Sequence, residues 1–155
     1  MLDLDLSPLA QFEEFIQEYS TISPQIKPNN RIEEILNWNY LELDALNSEE
    51  CLGAAFELGA HCMFLQRELN ENNARLNWCH DSLNWVISKD YTQYDPYMRF
   101  EVKRQAIIRG NSFAEKVELL RNRLQGRVTI LTDKLGDLRK MVNLLEDLSK
   151  RKAYK

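Results

Sequence analysis

His61 precedes Cys62 and Cys79 precedes His80, the two places in this sequence where metal or thiol chemistry suggests itself. A metal site needs ligands that converge on one ion, as CxxC or HxxxH spacing achieves, and neither spacing occurs here. Cys51, Cys62 and Cys79 form an odd set with no close pair, so no disulfide framework is expected and the thiols read as reduced, buried helix residues. There is no Gly-rich phosphate loop and no GxxxxGK[ST], HExxH or GxSxG sequence, and the carboxylates are dispersed. The sequence therefore predicts a non-enzymatic protein with no metal and no cofactor.

Charge is more informative. Residues 1–98 hold 17 acidic and 5 basic side chains, whereas residues 99–155 hold 7 acidic and 15 basic ones. Either the two halves pair with each other, within one chain or between chains, or the basic half faces a polyanion. The opening MLDLDLSPLAQ lacks the early basic residues of a secretory signal or transit peptide, and no apolar run reaches the eighteen or so residues of a membrane span. A cytoplasmic protein without membrane contact is expected.

The elements that must position these charges are helical throughout. Ser7-Pro8 reads as a helix start, with Phe12, Phe15, Ile16 and Tyr19 at helical spacing over 8–20, and Pro24 and Pro28 make the next stretch a loop. Asn30 with Glu33 predicts a second short helix through Ile32, Ile35 and Leu36. Residues 1–46 thus form a short helical arm. Residues 47–155 form a long hairpin domain with a basic tail. Asn47 and Glu50, in capping-box spacing, open its first helix, where Leu52, Ala55, Gly59, Cys62, Leu69, Leu76, Leu83 and Ile87 make a seam with polar gaps at Gln66, Asn73 and His80. Some forty residues of helix would extend roughly 60 Å.

The Tyr-rich stretch from Ser88 to Asp95 breaks that pattern, and Asp95-Pro96 predicts the next helix start. Phe100, Ile107, Gly110, Ala114 and Val117 can be read as one register through Gly110, or a new helix opens at Ser112 with Glu115. Beyond lies the clearest seam: Val117, Leu120, Leu124, Val128, Leu131, Leu135, Leu138, Val142 and Leu145, with a stutter at Leu124. Two such seams joined by a short turn predict an all-α, antiparallel, coiled-coil-like helical hairpin with short N-terminal helices. A lone hairpin buries little, so assembly into a homo-oligomer is expected. Trp78, Trp85, Tyr91, Tyr94, Tyr97 and Phe100 near the turn are either packing residues or a platform for nucleobases.

Lys116, Arg123, Arg127 and Lys134 each stand one position before a seam residue, where pairing with Glu50, Glu57, Glu68 and Glu71 of the first long helix is expected. Lys103, Arg104 and Arg109, and Lys150, Arg151, Lys152 and Lys155 in the tail, lie off this seam and have fewer candidate partners.

The order of a Leu-rich short helix, LGAAFELGAHCMFLQRELNENNARLNW, a Tyr-rich turn, YMRFEVKRQAIIRGNSFAEKVELL and a long C-terminal helix, over residues 31–155, resembles the UvsY-type recombination mediators of large tailed phages. The resemblance implies helical subunits in ring-like oligomers that bind single-stranded DNA and help load a strand-exchange recombinase in place of a single-strand-binding protein. It implies phage origin and a bacterial cytoplasm. Family members tend to carry a Lys/Arg cluster before the Tyr-containing end of the first long helix, whereas NWCHDSLNWVISKDY offers only Lys89. Lys89 is thus the one DNA contact the family pattern implies. Lys103, Arg104, Arg109, Lys150, Arg151 and Lys152 are nominated on charge alone. A scaffolding coiled-coil oligomer, and an adaptor or inhibitor of a host protein that binds no DNA, are the competing expectations.

Overall fold

The computed structural model describes residues 30–155 together with Ala10, Glu13 and Glu14. The expected helix over 8–20 and the loop after it otherwise lie outside the described residues. The elements are α1 (Asn30–Leu36), α2 (Tyr40–Ala45), α3 (Ser48–Asp90), a single 3-10 turn (Tyr91–Gln93), α4 (Phe100–Arg109) and α5 (Ser112–Ala153), with no strand among the described residues. The protein is all-α there, and long helix packs on long helix.

Side-chain caps set the boundaries. Asn39 accepts from the Glu42 amide at 3.0 Å while Glu42 accepts from the Asn39 amide at 2.8 Å, opening α2. Asn47 and Glu50 make the same reciprocal pair, both at 2.8 Å, so α3 begins where the sequence places it. Asp95-Pro96 behaves differently from the expectation. The Asp95 carboxylate accepts from the Tyr97 amide at 2.9 Å and its carbonyl from Met98 at 3.1 Å. These bonds close a turn, and α4 starts only at Phe100. At Gly110 the helix stops, and α5 is capped by Asn111, whose Oδ1 accepts from the Ala114 amide at 3.1 Å. Of the two registers that the sequence leaves open, the interrupted one is adopted, with Asn111 as the capping residue in place of Ser112.

The chain divides into two compact units, each holding part of α3 and part of α5. One is built on Asn70–Thr129. Its core joins Leu76, Cys79, Leu83, Val86 and Ile87 of α3, Ile107 and Ile108 of α4, and Ala114, Val117 and Leu124 of α5. Trp78 stands edge-on to Phe113, with ring centroids 6.4 Å apart. Arg75 grips Glu13 through two nitrogens at 2.7 and 2.9 Å.

The other unit comprises the described residues from 30 to 69 and Ile130–Lys155. Here Ser48 and Ser149 each donate to the other's carbonyl, at 2.8 and 2.9 Å, and Arg139 donates to Gln66 at 2.6 Å. Numbers rise along α3 as they fall along α5, so the two segments are antiparallel within this unit. Ile35, Leu58, Leu135 and Leu145 are among its fully buried side chains. At roughly 1.5–3 kcal/mol for each buried Leu or Ile, such rows outweigh the propensity of any single residue.

Every expected seam residue of α5 is buried or half-buried, as are Leu69, Leu76 and Leu83 of α3. The positions between the latter are another matter. Leu65, Asn72 and Cys79 are buried, whereas His80 is exposed and Gln66 and Asn73 only half-buried. A seven-residue step can be divided as four and three or as three and four, and α3 takes the second division after Leu69. Leu52, read as a seam residue, is exposed.

Gly126 and Gly136 sit inside α5, and an added Cβ at either meets nothing within 4 Å. Gly126→Ala and Gly136→Ala are therefore expected to stabilise the protein by about 1 kcal/mol each, read as a raised midpoint in urea unfolding. An unchanged or lowered midpoint would show that these glycines are needed for contacts other than those within the chain.

Candidate functional site

Of the basic residues that the sequence nominates, three are engaged within the fold. Lys103 is 1% exposed, its ammonium 3.9 Å from the centroid of the Tyr91 ring. This is cation–π geometry in a desolvated setting, where such contacts reach about 2 kcal/mol. A side chain so enclosed does not offer itself to a phosphate, which corrects its nomination. Arg104 donates to Glu118 at 3.2 Å. The Lys152 ammonium donates to the carbonyls of Leu43, Asp44 and Leu46 at 2.7, 3.0 and 2.5 Å, closing the C-terminal end of α2. Lys89, Arg109, Lys150 and Arg151 are exposed.

Both engaged lysines occupy apolar-face positions. Lys103 is four residues before Ile107 and eleven before Ala114. The seam of α5, continued past Leu145 by four and three, lands on Ser149 and Lys152, the first buried and the second half-buried. Neither lysine is off the packed face.

Three of the four cations expected to pair between helices form an open row, while the fourth, Lys134, is exposed in the other unit, where it lines a cavity. Lys116, Arg123 and Arg127 are exposed, and none has an ion pair among the described residues. Two of the acids proposed for them are used elsewhere. Glu57 binds Arg31 at 3.2 Å, and Glu50 caps α3. Steps of seven and four return to within about 20° of one line along a helix, so the three cations lie on a single face of α5. They belong to the Asn70–Thr129 unit. In the same unit Trp85 is exposed, and the Lys89 ammonium lies 5.1 Å from the centroid of its ring. The aromatic residues of the turn thus divide, with Trp78 and Tyr94 against the core and Trp85, Tyr97 and Phe100 exposed.

Glu118 shows how the neighbouring cations are neutralised. It accepts from Arg121 at 2.6 Å and from Arg104 at 3.2 Å. Burial opposes its ionisation, but the bond from Arg121 and the charges of both guanidiniums outweigh that and hold its carboxyl below the ordinary carboxylate range.

The thiols are unsuited to nucleophilic work. All three are buried, and burial pushes Cys79 up to about 11 against a small opposing pull from Arg121. In the second unit a cavity of about 400 Å³ is lined by Asn30, Ile32, Glu33, Leu36, His61, Leu65 and Lys134. The His61 Nδ1 is buried without a hydrogen-bond partner, and burial, then the charge of Lys134, lowers its pKa from the ordinary 6.5. Among the described residues, no group of three or more His, Cys, Asp or Glu side chains could hold a metal, and no helix is long and apolar enough to cross a membrane.

Comparison with known proteins yields no matching family model, no matching curated protein and no matching solved structure.

His61 and Lys152 can each be tested by unfolding. Because folded His61 resists the proton that the unfolded imidazole accepts, its contribution to stability is full above the unfolded value and declines as pH falls below about 6.5. His61→Leu should flatten the dependence of the melting temperature on pH between 7 and 5, and an unaltered slope would assign that dependence to other groups. Lys152→Met should cost about 1–3 kcal/mol in denaturant unfolding, because it leaves the three carbonyls without their donor.

Proposed function

We propose that the protein is a non-enzymatic recombination mediator that binds single-stranded DNA as a homo-oligomer and helps load a strand-exchange recombinase in place of a single-strand-binding protein. The observation that carries the DNA-binding step is the open row Lys116, Arg123 and Arg127: three cations on one helix face with no acid of the described chain to answer them. Phosphates spaced along a flexible strand are the natural complement of such a row, since their neutralisation releases condensed counterions. The exposed indole of Trp85, with Lys89 beside it, supplies a base-stacking surface of the kind that single-strand binders use without sequence preference. Arg109 adds an exposed cation to the same unit, and Lys150 and Arg151 are exposed cations of the other. The loading role rests on the resemblance to UvsY-type mediators.

Fluorescence anisotropy with a labelled single-stranded oligonucleotide tests the binding step. Affinity should fall steeply between about 50 and 200 mM salt, in proportion to the phosphates neutralised. Lys116→Glu, Arg123→Glu and Arg127→Glu together should reduce the slope of log affinity against log salt by about 2, at roughly 0.7 per phosphate contact. Trp85→Ala should weaken binding by about 1–3 kcal/mol with little change of slope. A folded protein that binds no oligonucleotide at low salt would exclude this reading in favour of a scaffold or an adaptor.

A further inference from the structure

Helix α3 carries a second apolar row on its outer side. Leu52, Phe56 and Met63 are 56, 77 and 64% exposed. With Gly59 they are spaced by steps of four, three and four, the spacing by which packed helix pairs interlock. At about 100° per residue, Gly53 and Ala60 share this face, with Glu49 at one end and Arg67 at the other. An added Cβ at Gly53 or Gly59 meets nothing within 4 Å. Among the described residues no contact therefore accounts for two glycines in a helix interior, where each is unfavourable relative to alanine. The whole face lies within one unit.

We propose that this face of α3 binds a second copy of the same chain, the two helices antiparallel about a two-fold axis near residues 57 and 58. A spacing of four, three and four reads the same from either end. A two-fold contact requires that symmetry, because a residue and its counterpart stand equally far from the axis. Leu52 then opposes the partner's Met63, and Phe56 opposes the partner's Gly59, a large side chain over the space that a missing one leaves. A parallel pairing would instead set Phe56 against the partner's Phe56 and leave the two Gly59 positions facing each other. The three exposed side chains present on the order of 400 Å² of apolar surface per copy, as large as a typical monomer's largest patch. Two copies with their flanks reach the order of 1,000 Å² that a specific contact needs. The contact is independent of the DNA-binding row, which lies on α5.

Light scattering on the full chain at tens of micromolar tests the pairing. The native chain should have twice its 18.3 kDa mass, or an even multiple of it. Phe56→Glu and Gly59→Gln should each halve that mass with circular dichroism unchanged, and Tyr154→Glu, at a 91% exposed position, should leave it intact. Gln favours helix over Gly, so loss of mass in Gly59→Gln cannot come from unravelling of α3. Under mild oxidation, Leu52→Cys mixed with Met63→Cys should yield cross-linked pairs that neither variant yields alone. A monomeric native chain, variants that keep the native mass, or cross-linking within Leu52→Cys alone would overturn the proposal.

Discussion

The burial of one apolar row along α5 against one row along α3 is the constraint on which the remaining architecture depends. Neither helix could persist alone for some forty residues on propensity, since an isolated helix is marginal in water and most helical stability in proteins comes from a packed face. Both helices have weak points in their interiors, Gly53 and Gly59 in α3 and Gly126 and Gly136 in α5, and these are tolerable only because Leu58, Leu135 and Leu145, among others, are fully withdrawn from water. Once the rows are matched, the faces left over are determined. The cations one place before the α5 seam point along its flank, and the outer row of α3 faces away from its own packing.

The polar groups inside the packed rows tune this arrangement rather than drive it. Ser48 and Ser149 satisfy each other, and Lys152 answers three carbonyls at once. His61 is an exception, its Nδ1 unanswered among the described residues and beside a cavity. A buried polar atom without a partner forfeits its hydration and gains nothing in return, so it makes the surrounding packing sensitive to protonation.

Much of this is legible in the residues because helix seams are written in spacing. The α5 row from Val117 to Leu145 can be counted directly, and the Asn47–Glu50 box marks the start of α3. Misreadings arise where one signal has two physical outcomes. Asp95-Pro96 serves equally as a helix start or a turn, and local hydrogen bonds to Tyr97 and Met98 select the turn. Leu69 to Leu76 can be bridged through residue 72 or 73, and only packing chooses Asn72. Lys103 and Lys152 read as surface cations by their charge, although counting from Ile107 and Leu145 puts both on the packed side. The freedom of Lys116, Arg123 and Arg127 is illegible, because spacing alone does not set the register of the two long helices: the bonds from Ser48 to Ser149 and from Arg139 to Gln66 stand Glu50 and Glu57 beside the C-terminal part of α5.

The bonds that fasten Ser48 to Ser149 and Lys152 to Leu43 close loops of 101 and 109 residues, whereas Arg104 meets Glu118 across only 14. Loop closure of that length is slow relative to local contacts. During synthesis the Asn70–Thr129 unit can assemble as soon as its own residues have emerged, but the first half of α3 must wait for residues near 150. Through that interval Cys51, Leu58 and Leu65 lie open beside Phe56 and Met63, and the nascent chain displays its most apolar stretch to whatever chaperone or neighbouring copy is at hand.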